Sequence, residues 1–167
     1  MRTYRRSPLS VTKIKTLSRL KRITLRLQTK GKKIVFTNGC FDLLHYGHVK
    51  YLEDAKKNGD ILIVALNSDA SIKRIKGSAR PIVNQDDRQR IIAALESVDY
   101  VVLFNDATPV KIIETLKPDI IIKGADWEKN KIVGADFVRS YGGKVKTIKF
   151  VPGRSTTKLI DKIVKTS

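Results

Sequence analysis

From residue 31 onward, short apolar runs alternate with amphipathic stretches, and this alternation constrains the fold more than any other feature of the chain. The runs Lys33 to Thr37, Ile61 to Asn67, Tyr100 to Phe104, Ile120 to Lys123 and Val145 to Phe150 are of strand length and rich in Ile and Val. Several have no polar interruption, the pattern of strands buried on both faces. Between them, spacing and caps predict helices over Val49 to Lys57, Asp69 to Lys76, Asp86 to Glu96, Thr108-Pro109 to Leu116, Ala135 to Tyr141, and from Ser155 to the end. Asn58-Gly59, Gly77 and Gly142-Gly143 follow the last turns, where helix-stopping residues belong. Such alternation gives right-handed crossovers. The expected fold is α/β, a Rossmann-like doubly wound sheet of about five parallel strands with flanking helices.

The charge is spread unevenly over that frame. The 167 residues hold 34 Lys and Arg against 16 Asp and Glu, a formal net charge of +18. Residues 1–30 carry ten cations and no acid, residues 31–128 fourteen of each sign, and residues 129–167 ten against two. Val11, Ile14, Leu17, Leu20, Ile23 and Leu27 keep near-helical spacing through the basic N-terminal stretch, which predicts a packed helix there. An Arg-rich, acid-free N-terminus also has the composition of an organelle transit peptide, but apolar periodicity running up to the first strand favours the packed helix. There is no internal repeat and no Pro/Ser/Gly linker, so a basic helical extension over 1–30 and a single domain over 31–167 are expected. No stretch approaches the roughly eighteen apolar residues of a membrane span. The single cysteine, Cys40, leaves no intramolecular disulfide and reads as a small structural residue. A cytoplasmic protein with no membrane partner is the expectation.

In doubly wound sheets, ligands bind beyond the carboxyl ends of the strands, where the strand order reverses. Neither G-x-x-x-x-G-K-[ST] nor G-x-G-x-x-G occurs, which argues against a P-loop ATPase and an ordinary dinucleotide dehydrogenase. The first strand leads instead into Asn38-Gly39-Cys40-Phe41-Asp42-Leu43-Leu44-His45-Tyr46-Gly47-His48 and a helix. Both histidines of the chain are here, three residues apart, at a helix start whose free N–H groups attract anions. The arrangement suits a phosphate, and Gly39 and Gly47 would let the backbone approach it. A zinc site would need a third and a fourth ligand, and with one cysteine and no other histidine only carboxylates remain, so no metal ligand is assigned. A purely structural histidine pair on a tight Gly turn would be a poor way to fill a core.

These residues resemble the cytidylyltransferase-like nucleotidyltransferases, whose first signature, G-x-F-D-x-x-H-x-G-H, is present at Gly39, Phe41, Asp42, His45, Gly47 and His48. Further matches follow in order: Asn67-Ser68-Asp69, the basic turn with Lys73, Lys76 and Arg80, then Arg88, Ser97-Val98-Asp99-Tyr100, Lys123-Gly124-Ala125-Asp126-Trp127 and Ser155-Thr156-Thr157-Lys158. Within the family, Phe36 to Asp42, Asn67 to Ser71 with Arg80-Pro81, and Gly153 before Ser155-Thr156-Thr157 are most similar to the adenylyltransferase domain of the bacterial heptose enzymes. The resemblance implies transfer of AMP from ATP to D-glycero-β-D-manno-heptose 1-phosphate, giving ADP-heptose for lipopolysaccharide and pyrophosphate. It implies that His45 and His48 donate to the α-phosphate and the bridging oxygen, while Lys73 or Lys76 and Arg88 neutralise the β- and γ-phosphates. Asn38, Gly39, Phe41, Gly47, His48, Lys123, Gly124, Ser155, Thr156 and Thr157 would hold the nucleotide. Asp42, Asn67, Asp126 and Trp127 would hold the acceptor, although Asp42 serves equally as a helix cap and a lone Trp as core. Mg²⁺ would bridge the phosphates. A homodimer is implied. The heptose enzyme is often fused to a sugar kinase, for which this chain has no room, so the kinase would be a separate protein.

Two other readings are open. Glycerol-3-phosphate cytidylyltransferases, a sister group, share Asp126-Trp127-Glu128 and the Thr156-Thr157-Lys158 ending but carry a phosphate-binding Arg where Phe150 stands here. Arg154 is near but at a different offset, and the role is not transferred to it. A non-catalytic nucleic-acid-binding module would account for the net charge. It would lack interleaved aromatics and any recognised DNA-reading motif, so nucleic acid is not the expected partner.

Overall fold

A computed structural model, describing residues 9–128 and 131–166, pairs the five apolar runs as parallel strands of one sheet. The elements in chain order are α1 (Leu9–Lys13), α2 (Leu17–Gln28), β1 (Ile34–Gly39), α3 (Tyr46–Lys56), β2 (Ile61–Asn67), α4 (Asp69–Lys76), α5 (Gln85–Ala94), β3 (Tyr100–Phe104), α6 (Val110–Leu116), β4 (Ile120–Gly124), α7 (Ala135–Ser140), β5 (Lys144–Ile148) and α8 (Thr156–Thr166). The strand order is β3-β2-β1-β4-β5. The chain builds outward from β1 to β3, then returns to pair β4 on the other side of β1, with Val35 opposite Ile120. The order therefore reverses between β1 and β4, and a crevice is expected beyond their carboxyl ends.

Both faces of the sheet are covered, which is why the strands read as unbroken apolar runs. Ile34 and Phe36 of β1, Ile63 and Ala65 of β2 and Ile121 of β4 pack with α6, α7 and Leu20 of α2. Their neighbours Val35, Leu62, Val64 and Ile122 point the other way, onto α3 and α5. The exception is β5, a half-exposed edge strand carrying Lys144 and Lys146; charges on an edge discourage pairing with another chain. At the amino end of the sheet, Asp60, Asp99 and Asp119 each stand one residue before a strand. They accept the Lys33, Leu62 and Ile34 N–H groups at 2.8, 2.7 and 2.7 Å. Donors that would otherwise be orphaned are thus satisfied.

The single N-terminal helix suggested by the periodicity is two helices. Ile14 bridges Val101, and the Lys15 N–H donates to the Val101 carbonyl at 2.9 Å. A backbone spent on β3 cannot continue a helix, and Thr16 restarts one by accepting the Arg19 N–H at 3.4 Å. Lys13 Nζ donates to the Leu95 carbonyl at 2.9 Å, where α5 has already given way to extended backbone, short of the expected Glu96. The first eight residues of the expected extension lie outside the described residues. Leu20 is 0% exposed, so Leu20→Ala is expected to cost about 2–5 kcal/mol in urea unfolding, as a core leucine does. A cost under about 0.5 kcal/mol, ordinary for a surface site, would make the helix an appendage.

Candidate active site

β1 ends at Gly39, and the chain turns through Phe41, at φ 45°, toward α3. His45 occupies the position before α3 in extended backbone (φ −144°, ψ 168°), so His48 lies in the first helical turn. The two imidazoles stack, with centroids 3.9 Å apart and 22° between planes. Glycine at 47 makes room for this, because a Cβ there would stand 2.9 Å from His45 Nδ1 and Cε1. Among the described residues, the buried side-chain polar atoms without a hydrogen-bond partner are Asn38 Oδ1, His45 Nδ1 and His48 Nδ1. Buried polar atoms are rarely left unpaired. Three within the Asn38 to His48 segment indicate a surface built to meet a polar ligand.

Burial pushes the His48 pKa down to about 4, with the neighbouring charges of His45 and Lys76 acting in the same direction. Burial also lowers the His45 pKa, and Arg154 adds to the effect. Because His48 accepts its proton more readily in the unfolded chain, near its ordinary 6.5, its contribution to stability is present above pH 6.5 and lost as pH falls toward 4. The wild type is therefore expected to lose more in Tm between pH 6.5 and 4.5 than His48→Asn does. Equal losses in thermal unfolding would place this imidazole in solvent.

The crevice beyond β1 and β4 is a cleft of about 850 Å³, within the range of ligand sites. Asn38, Gly39, Phe41, Asp42, His45, Gly47 and His48 line it from the first loop, and Asn67 and Lys76 from the next. Lys123, Gly124, Asp126 and Trp127 come from the end of β4, and Ser155, Thr156 and Thr157 from the start of α8. Lys73 and Arg88 are not on its walls. The cations Lys76, Arg80, Lys123, Arg154 and Lys158 outnumber Asp42 and Asp126 there, giving the cleft a positive lining. No group of three or more His, Cys, Asp or Glu among the described residues is placed to hold a metal ion.

A family model described as Cytidylyltransferase-like matches residues 36–161, which hold the first loop, both strands at the crevice and the start of α8. The chain belongs to the cytidylyltransferase-like family. It is 55% identical over 153 residues to the Bifunctional protein HldE of Geobacter metallireducens, covering 92% of this chain and 31% of that protein. The chain thus spans about a third of the length of the curated relatives it matches. Among solved structures, a lipopolysaccharide core biosynthesis protein from Thermoplasma volcanium is 34% identical, with a TM-score of 0.58 over 72% of this chain and 98% of that one. A pantoate-beta-alanine ligase from Francisella tularensis, at 16% identity and a TM-score of 0.60, covers 86% of this chain and 68% of its own and shares the fold. No helix among the described residues is long and apolar enough to cross a membrane.

In this cytidylyltransferase-like chain, several motif residues, on the cleft wall or behind it, spend their polar groups on holding the site together. Arg88 is 1% exposed. Its guanidinium donates to the carbonyls of Val83 at 3.0 Å, Cys40 at 2.6 Å and Asn67 at 2.8 Å, and to Asp69 Oδ1 at 2.8 Å. It ties the ends of β1 and β2 to α4 and α5, so its expected part in neutralising phosphates has no geometric support. Lys73 likewise is not on the cleft wall that Lys76 lines. Asp42 accepts the Ile82 and Val83 N–H groups at 2.9 Å and Arg80 Nη1 at 2.8 Å. Burial opposes its ionisation, but those donors outweigh it and hold the carboxyl below the usual range. Its oxygens are committed to residues 80–83 and serve neither as a helix cap nor as a free partner for a sugar. Asn67 spends its side-chain N–H on Ser71 Oγ at 3.0 Å.

At the far wall, Lys123 Nζ donates to the Asn38 carbonyl at 3.0 Å and lies 5.7 Å from the centre of the Trp127 ring. Burial pushes the Lys123 pKa down to about 8. Trp127 is 46% exposed, so it is not core. Phe150, expected inside the last strand, lies beyond it, because β5 stops at Ile148. Its ring covers the end of β4, where a Cβ on Gly124 would stand 2.0 Å from Phe150 Cζ. Phe150, Arg154 and Arg80 are cleft residues that the motif reading did not assign. The glycine at 124, which leaves space for an aromatic ring, is a sequence signal that could have pointed to the first of them.

Proposed function

We propose that this chain is an adenylyltransferase that moves AMP from ATP to D-glycero-β-D-manno-heptose 1-phosphate, giving ADP-heptose and pyrophosphate. The observation that carries this reading is the stacked His45–His48 pair, with both Nδ1 atoms unpartnered, on the wall of a cation-lined cleft at the switch point of the sheet. The 55% identity to a bifunctional HldE protein supports the choice of nucleotide and acceptor.

An oxygen of the sugar phosphate attacks the α-phosphorus in line. The new P–O bond forms as the bond to the β-bridging oxygen breaks, and pyrophosphate leaves with that electron pair. No protein nucleophile is needed, so catalysis is positioning and stabilisation of charge. His45 and His48 donate N–H groups to the α-phosphate and the bridging oxygen. Lys76 and Lys123 balance charge along the polyphosphate, and Ser155 to Thr157 offer hydroxyls and helix-start N–H groups from the opposite wall. Mg²⁺ is the proposed divalent ion and arrives on the triphosphate as part of the substrate. Asp126 and the exposed ring of Trp127 are the proposed partners of the sugar. A kinase acting on the sugar must supply its anomeric phosphate.

A cytoplasmic location and a homodimer go with this reading. The outward face of α8, with Val164 70% exposed, supports the dimer. The test is pyrophosphate release by purified protein given Mg²⁺, either ATP or CTP, and either the heptose phosphate or glycerol 3-phosphate. ATP-dependent release is expected. Release with CTP and glycerol 3-phosphate alone would overturn the assignment.

A further inference from the structure

Arg154 lies between β5 and α8, in a turn where its own N–H donates to the Val151 carbonyl at 3.2 Å and Gly153 adopts φ 74°. Its Cβ and the His45 ring stand 3.2 and 2.9 Å from the one point that a Cβ on Gly47 would occupy. The turn before α8 and the loop after β1 therefore bring a guanidinium stem and an imidazole to the same spot over the start of α3. The nearby arginines of the 80–88 segment are already neutralised, Arg80 by Asp42 and Arg88 of α5 by Asp69. Among the described residues, no carboxylate lies within ion-pair distance of Arg154, which is exposed and lines the cleft. A cation held beside a histidine, with no acid to balance either, is an arrangement that an anion between them would relieve.

We propose that Arg154 is a substrate-binding residue of this cleft, gripping the polyphosphate of ATP, and the pyrophosphate product, against His45. The proposal rests on the adenylyltransferase reading and adds to it the residue that sets affinity for the polyphosphate. A guanidinium offers two parallel N–H donors to phosphate oxygens, where an ammonium offers only a point charge. Once the anion neutralises Arg154, the charge that opposes protonation of His45 is gone. Binding should then draw a proton onto that ring, and a protonated imidazole donates from both nitrogens.

Calorimetry with inorganic pyrophosphate at pH 7 and steady-state kinetics, on the wild type, Arg154→Gln and Arg154→Lys, test this. Arg154→Gln is expected to weaken pyrophosphate binding and to raise KM for ATP by about 10- to 100-fold, the range for one hydrogen bond to a charged group. KM for the acceptor and the unfolding midpoint should not move. Arg154→Lys should recover part of the loss. The alkaline limb of kcat/KM, where His45 gives up the proton that grips the anion, should shift to higher pH in Arg154→Gln, because a charge that lowers the His45 pKa is gone; a merely structural role would leave it in place. Unchanged pyrophosphate affinity in Arg154→Gln, beside a wild type that binds and turns over, overturns the role of Arg154 alone. A wild type that binds neither ATP nor pyrophosphate overturns both this proposal and the adenylyltransferase reading.

Discussion

His48→Ala is expected to lower kcat by about 100- to 1000-fold, the usual loss when one positioned donor to a developing charge is removed. KM for ATP should change far less, because the donor acts on charge that is largest in the transition state. The stacked partner His45 should behave in the same way, and the double variant should be little worse than either single one, since groups acting as a unit are not additive. Stability should not account for the loss. His48 is buried at the expense of its charged form, so replacing it relieves a cost at acid pH and removes no ion pair. Pyrophosphate release under saturating ATP, beside a thermal melt, separates the two effects. Losses below about tenfold in both single variants would remove the pair from the chemistry.

Arg88→Met should do the reverse. Its guanidinium is the shared donor for three carbonyls and a carboxylate at the junction of β1, β2, α4 and α5. Removing one partner of a buried charged network costs about 3–5 kcal/mol, because the acceptors left behind have no water to turn to. Urea unfolding should show that cost. The protein that remains folded at low temperature should retain kcat to within about tenfold of wild type. A variant with unchanged stability and collapsed kcat would return Arg88 to the phosphates.

Arg88 and Asp42 show where reading the sequence reaches its limit. The strands were legible because burial on both faces leaves a run with no polar interruption. The switch point was legible because strand-helix alternation admits few topologies, and the Gly39 to His48 loop because two histidines on a glycine turn have little structural use. Charged side chains in the same motifs were read as chemistry, yet a buried Asp next to backbone N–H groups and a buried Arg next to carbonyls look identical on paper to residues facing a substrate. Only the chain path separates them. Lys73 and Lys76 lie three residues apart on α4, and only the one at the helix end reaches the cleft. Phe150 and Arg154 were hidden by the length of the last strand. A β5 that ends two residues earlier turns Phe150 over Gly124 and brings the turn before α8 to the start of α3.

The bonds from Asp42 to residues 80–83 join two walls of the cleft. On one side of that brace, three residues along the chain, is His45; on the other, four residues back from Arg80, is Lys76. The groups meant for the α-phosphate and those meant for the rest of the polyphosphate are therefore set relative to each other before any ligand arrives. Freedom lost in fixing them is lost when the chain folds and not when the nucleotide binds, so attraction to the phosphates is not spent on ordering the walls. A site braced in this way selects its ligand by the spacing of its charges as well as by their sign.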